Sequence, residues 1–230
     1  MPRRPVVAID GPAASGKSTT AHAVSLELGF CHVDSGALYR TLTLLALERL
    51  GPPAGWREEA VVAEGTARRV SAEPAGVRLE VRVDGEAVGD AIRSEAVTAE
   101  VSRIAAMPAV RDFVNGLLRA AAREGGVVMD GRDIGTVVFP DAEVKVFFVA
   151  EAGERARRRL LERGLAPEAC ALRAEADALL SRDARDAGRE VAPLRAAPDA
   201  VEVDTTRLSF AEQVRQVVAL VRERWPAGSP

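Results

Sequence analysis

A chain of 230 residues with 47% hydrophobic and 28% charged side chains has an ordinary globular composition, and its length suits one generous domain or a core carrying insertions. Its net charge of -3 and aromatic content of 4% argue against a chain-wide grip on nucleic acid, and its apolar runs are all too short to span a membrane or to serve as a secretion signal. Cys31 and Cys170 lie far apart with no CxxC spacing, so neither a disulfide nor a metal framework is expected, both read as small core-type residues, and a reducing cytoplasm is the expected setting.

The predicted elements alternate. Val6 to Ile9 is a short, β-branched apolar run bounded by Pro5 and Asp10-Gly11-Pro12, which predicts a buried strand. Ser18 to Leu28 reads as a helix capped at Gly29. Phe30 to Val33 is a second strand, ending at Asp34, and Leu38, Leu42 and Leu45 have the spacing of a helix that stops near Gly51-Pro52-Pro53. Strict alternation at Val77, Leu79, Val81 and Val83, followed by the turn signal Asp84-Gly85, predicts a half-exposed antiparallel hairpin. Residues 63–96 are therefore expected to form a small insertion beside a core made of 1–62 and 97–225. Val127 to Met129, Val144 to Val149 and Ala200 to Val203 complete five core strands. The polar, arginine-rich stretch of about 151–195 reads as mostly helical. A last helix opens on Ser209-Phe210-Ala211-Glu212, which has capping-box spacing, with Phe210, Val214, Val217 and Val221 as one buried stripe. Residues 226–230 are expected to fray. Strands alternating with helices predict a parallel sheet covered on both faces.

Only Lys17 and Lys145 among the 31 basic residues are lysine. Against such an arginine-rich background, arginine clusters lose weight as signals and a retained lysine gains it. Lys17 stands in Gly11-Pro12-Ala13-Ala14-Ser15-Gly16-Lys17-Ser18, which matches GxxxxGK(S/T) and lies between a predicted strand and a predicted helix. Glycines let such a loop curl its N–H groups toward phosphates, and the helix N-terminus adds its positive end. Lys17 then faces the β- and γ-phosphates, and the Ser18 hydroxyl joins the Mg²⁺ shell. The expected fold is thus of the P-loop NTPase type: three layers, a five-stranded parallel sheet, a small antiparallel β insertion and a helical lid.

The loop implies a nucleoside triphosphate without choosing an acceptor. Two clusters at strand ends address that choice: Asp34-Ser35-Gly36-Ala37-Leu38-Tyr39-Arg40 and Asp130-Gly131-Arg132-Asp133-Ile134-Gly135-Thr136. Each joins a carboxylate to a forked guanidinium that can hold a phosphate bidentately, and Asp130, ending an apolar strand, suits a carboxylate acting on Mg²⁺ through water. With Ser102 to Arg111 and Arg182 to Leu194, in this order and spacing, these segments resemble the signatures of bacterial cytidylate kinases over essentially the whole chain. Ser35 stands where relatives of that family carry threonine.

The resemblance implies an ATP-dependent CMP or dCMP kinase acting as a cytoplasmic monomer with Mg²⁺. It implies that Gly11 through Ser18, Thr19 and Arg158 bind ATP, and that Ser18 holds the metal with Asp34 or Asp130 acting through water. Ser102, Arg111 and Asp133 would read cytosine. Arg40, Arg132 and Arg189 would hold the monophosphate beside Ser35 and Tyr39, and Asp186 would accept from the ribose. Lys17, Arg132, Arg182 and Arg189 would serve catalysis. Arg155, Arg157, Arg158 and Arg159 belong to the start of the lid, and which of them meets the transferring phosphoryl stays open. A phosphate monoester is largely a dianion at neutral pH, so no general base is required, and His22 and His32 read as structural. A second reading is another P-loop small-molecule kinase, of the shikimate type or preferring UMP. A non-catalytic guanine-nucleotide switch fits less well, because no (N/T)KxD segment is present.

Overall fold

The computed structural model describes residues 4–226, so the tail expected to fray lies, beyond Pro226, outside the described residues. The strands are β1 (Val6–Asp10), β2 (Cys31–Asp34), β3 (Ser71–Ala75), β4 (Arg78–Val83), β5 (Glu86–Ala87), β6 (Val127–Gly131), β7 (Val144–Val149) and β8 (Val201–Asp204). The helices are α1 (Lys17–Leu28), α2 (Ser35–Arg49), α3 (Glu58–Ala67), α4 (Glu95–Ile104), α5 (Pro108–Ala121), α6 (Ala152–Glu162), α7 (Ala169–Ala187) and α8 (Phe210–Arg224).

Five parallel strands form the centre in the order β2-β6-β1-β7-β8. Strand alternation sorts their side chains. Val6 and Ala8 of β1 face the cluster built with α2 to α5, while Val7 and Ile9 face the cluster built with α1 and α8. Both faces are buried, which is why these strands read as continuous apolar runs. The expected three-layer architecture is present.

Three details differ from the sequence reading. The expected antiparallel hairpin forms, and it joins the core sheet at its edge. β4 pairs with β2 in parallel through His32 and Arg78, β3 and β5 flank β4 antiparallel, and the sheet becomes eight-stranded. Val70 and Val81 enter the same apolar cluster as Leu38 and Met129, so the insertion shares the core. Phe210 is 50% exposed, and Val218 takes its place in the buried stripe. Cys170, read as a small core-type residue, is exposed.

The local signals otherwise act as their chemistry requires. Gly29 ends α1 at φ 65°, and Ser209 and Glu212 complete the capping box at the start of α8. The α6 and α7 helices form the expected lid. It seats on the phosphate loop through a small apolar cluster of Ala13, Ala156 and Leu179.

Candidate active site

The β1 strand delivers the chain into the phosphate loop at the carboxyl edge of the sheet. At Gly11, φ is 146° and an added Cβ would lie 2.3 Å from the Phe148 carbonyl oxygen, so only glycine fits there. At Gly16, φ is 90°, which turns the chain directly into α1. Lys17 is buried, its ammonium donating to the Pro12 carbonyl at 2.5 Å and to Ser15 Oγ at 3.3 Å. Burial, reinforced by Arg132, holds its pKa well below the usual lysine range. A cation under that penalty is stabilised when a polyphosphate replaces the lost water.

Beside the loop, Ser18 Oγ donates to Asp130 Oδ2, and His32 Nε2 lies 2.8 Å from Asp130 Oδ1. Asp34 caps α2 through the Ala37 amide at 3.3 Å, and Arg93 approaches its other oxygen at 3.4 Å. Burial, and the neighbouring Asp130, push the Asp34 pKa up. Among the described residues, no cluster of three or more His, Cys, Asp or Glu forms a protein-only metal cage. One hydroxyl and two carboxylates, all hard oxygen donors, suit Mg²⁺, which keeps its waters and takes phosphates as ligands.

A cavity of about 170 Å³ adjoins this edge. It is lined by Ala13, Ala14, Lys17, Ser18, Asp34, Ser35, Tyr39, Arg40, Ser102, Arg111, Asp130, Arg132, Asp133, Arg182, Asp186 and Arg189, all read from the sequence; Arg159, one of the four lid arginines, borders it too, and so does Arg93, which the sequence did not single out. A wider cleft of about 680 Å³ shares Ala14, Lys17, Ser18, Asp34, Arg93 and Arg159 and extends along Ser15, Gly16 and Thr19 to the hairpin. Gly11, Pro12 and Arg158 border neither space. Arg158 instead donates to the Thr205 carbonyl at 2.5 Å and to Glu154 at 2.9 Å, and its Nη1 lies 3.8 Å from where a Gly16 Cβ would sit. Of the α6 arginines, Arg159 is therefore the one that faces the cavity.

The acceptor half is a set of carboxylate–guanidinium hubs. Asp186 accepts from Ser102 at 3.1 Å, from Arg132 at 3.0 Å and from Arg189. Burial would raise its pKa, but Arg132, Arg189 and Arg182 together hold it below the usual carboxylate range. Asp133 accepts from Arg111, whose other Nη donates to the Ala105 carbonyl at 3.0 Å. The Arg111 guanidinium lies 5.5 Å from the Tyr39 ring centroid, within cation–π range. Arg40 is tied to the Ile92 carbonyl at 3.2 Å and to Thr98 at 2.9 Å, and its pKa falls to about 10 through burial. Burial and the adjacent Arg132 bring Arg182 down to about 9. Tyr39 Oη, Arg111 Nε, Arg182 Nε and Arg189 Nε are buried without a hydrogen-bond partner. Buried polar atoms normally find partners. All four belong to residues that line one arginine-rich space, whose guanidinium lining suits a polar, anionic ligand.

Sequence reasoning missed Asp10, Asp183, Arg93 and the contact of His32. Asp10 is buried and accepts from the Ile134 and Gly135 amides at 2.9 and 2.8 Å. It thereby fixes the π-helical turn Ile134–Val138, which follows Asp133. None of these partners is adjacent in sequence, so no local motif announces them.

A glycine-rich phosphate loop at the carboxyl edge of a parallel sheet, a two-helix lid seated on it, and an arginine-lined acceptor space define a P-loop kinase. Within that class the chain belongs to the cytidylate kinase family, whose sequence model matches residues 7–223. It is 46% identical over 227 residues to the cytidylate kinase of Geobacillus kaustophilus, covering 97% of this chain and 99% of that protein. To the cytidylate kinase of Geobacter sulfurreducens it is 45% identical over 223 residues, with coverage of 95% and 93%. It is also 44% identical over 222 residues to a bifunctional pantoate ligase/cytidylate kinase of Synechococcus sp. (strain JA-3-3Ab), covering 96% of this chain and 41% of that one. The chain thus spans about two fifths of the length of the bifunctional relatives it matches.

Proposed function

We propose that the protein transfers the γ-phosphoryl group of ATP to CMP or dCMP, giving CDP or dCDP and ADP. The observation that carries this reading is one cavity that gathers Tyr39, Arg40, Arg132, Arg182 and Arg189 around the buried Asp133–Arg111 pair.

Lys17 and the loop amides hold the donor phosphates, while Arg40, Arg132 and Arg189 hold the acceptor phosphate in line with them. Ser18, with Asp130 or Asp34 through water, would hold Mg²⁺, which when bound would supply charge neutralisation on the donor phosphates. The acceptor arrives as a dianion, so none of these residues has to remove a proton. Arg182, lowered by burial and by Arg132, gains from the charge that the phosphates bring. Asp133 Oδ1 accepts from the cytosine N4 amino group, and Arg111 donates to N3 or O2. Uracil would set a carbonyl against Asp133 and leave buried groups unpaired. Asp186 spends three acceptor positions on Ser102, Arg132 and Arg189, and a carboxylate has about four, so one stays for a ribose hydroxyl. The lid carries Arg159 toward the transferring group and excludes water. A cytoplasmic monomer is part of this reading through the family resemblance alone. Among the described residues no helix is long and apolar enough to cross a membrane.

The experiment is ADP release from Mg·ATP with CMP, dCMP, UMP, AMP, shikimate or no acceptor. Rapid turnover with CMP and dCMP, weak turnover with UMP and almost none with the others is expected. Fast turnover with AMP or shikimate, or ATP hydrolysis without acceptor, overturns the acceptor assignment.

A further inference from the structure

His32 lies on β2, whose alternation sends His32 and Asp34 to one face of the sheet. On β6, Val128 is the register partner of His32 and Asp130 that of Asp34, so Asp130 sits diagonally across from His32 on the same face. The His32 side chain is 9% exposed, and Nε2 meets Asp130 Oδ1 at 2.8 Å. In this pair the imidazole nitrogen is the donor and the carboxylate oxygen the acceptor. The other Asp130 oxygen takes the Ser18 hydroxyl, which leaves the carboxylate fixed at both ends.

His32 is itself braced from the hairpin. Its backbone amide donates to the Val77 carbonyl at 2.8 Å, and it pairs with Arg78 at the junction of β2 and β4. Its ring lies 5.7 Å from that of His22. Arg78 Nε donates to His22 Nδ1 at 3.1 Å, so His22 is neutral with its proton on Nε2. One line of contacts therefore runs from the inserted hairpin through two imidazoles to the carboxylate beside the metal-side hydroxyl.

We propose that His32 is a positioning residue that aims Asp130 at the metal–nucleotide complex. This rests on the reading that Asp130 acts near Mg²⁺. Hydrogen-bond partners of such carboxylates typically contribute about 10–100-fold to metal affinity, and the lower end applies to a carboxylate acting through water.

The test uses Mn²⁺ as a paramagnetic substitute for Mg²⁺, its free concentration read by electron paramagnetic resonance in the presence of protein and ADP. His32→Phe is expected to weaken Mn²⁺ binding to the protein–ADP complex about tenfold, with ADP affinity in EDTA unchanged within about twofold. His32→Gln, whose amide N–H reaches the place of Nε2, should restore most of the loss. In an Asp130→Asn background, which itself weakens Mn²⁺, His32→Phe should add little. Three results overturn the inference: unchanged Mn²⁺ affinity in His32→Phe, equal loss of metal-free ADP binding, or a full additional loss on top of Asp130→Asn. If Asp130→Asn alone leaves Mn²⁺ binding untouched, the metal reading of Asp130 fails, and the role of His32 fails with it.

Discussion

Asp183 joins the lid to the phosphate loop: its Oδ1 accepts from the Ala13 amide at 3.1 Å. Its Oδ2 pairs with Arg155, and the same guanidinium donates to the Ala13 carbonyl at 3.0 Å. One peptide unit on each side of Ala13 is thus held from α6 and α7 just before the loop turns through Ala14 at φ 58°. Arg155 is buried, so removing its partner leaves an uncompensated charge. Asp183→Ala is expected to cost about 3–5 kcal/mol of stability and to raise KM for ATP more than KM for CMP. Urea unfolding and two-substrate kinetics check both parts. A stability change under about 1 kcal/mol would place this pair among contacts worth no more than surface ion pairs.

Lys17 presents the opposite balance, because its burial works against its charge. Lys17→Ala is expected to lower kcat by at least about 10²–10³-fold, the usual effect of losing a preorganised electrostatic group. The fold should persist, with a thermal midpoint equal to or above that of the parent, since a poorly compensated ammonium leaves the interior. ADP release and a melting curve on the same preparation decide it. Substantial remaining turnover contradicts the cradle role.

Base selection rests on Asp133 and Arg111, which are buried against each other. Asp133→Ala would strand Arg111 and confuse folding with recognition, so Asp133→Asn is the cleaner probe. It keeps the shape and replaces an acceptor with an amide. The expected result is a loss of about 10²-fold in kcat/KM for CMP with much less loss for UMP. Equal losses on the two nucleotides would remove Asp133 from base recognition.

The phosphate loop was legible because its mechanism needs particular residues at fixed spacing, and the five core strands because two-sided burial writes continuous apolar runs. β3 was invisible for the converse reason. Ser71-Ala72-Glu73-Pro74-Ala75 has little strand propensity, and it is held by pairing with β4 at the sheet edge, where proline is tolerated. Phe210 misled because an apolar residue at the first position of a helix can point outward while the stripe starts one turn later. Tyr39, Arg40 and Asp133 stand in the two strand-end clusters, whereas the Ser102, Arg111, Asp186 and Arg189 side of the cavity was readable only through the resemblance, since segments far apart in sequence meet there. His32 and Asp183 act through partners 98 and 170 residues away, and no periodicity encodes such a meeting.

Asp10 gives a prediction whose sign follows from linkage. Burial, helped by Asp133, raises its pKa from 3.8 to about 7, against the pull of the Gly135 and Ile134 amides and of Lys17. In the unfolded chain the group titrates near its ordinary value. Between the two, the folded protein holds a proton that the unfolded chain has released, so folding stability falls as pH rises through this window and levels off above about 7. Asp10→Asn cannot titrate and removes this contribution. It also has one amide oxygen for two N–H donors, which costs about 1–3 kcal/mol at any pH. Urea unfolding at pH 5 and pH 8 should therefore show the parent exceeding Asp10→Asn by more at pH 5 than at pH 8. A gap that is constant, or that widens with pH, would mean that Asp10 is ionised throughout and that its two amide donors outweigh its burial.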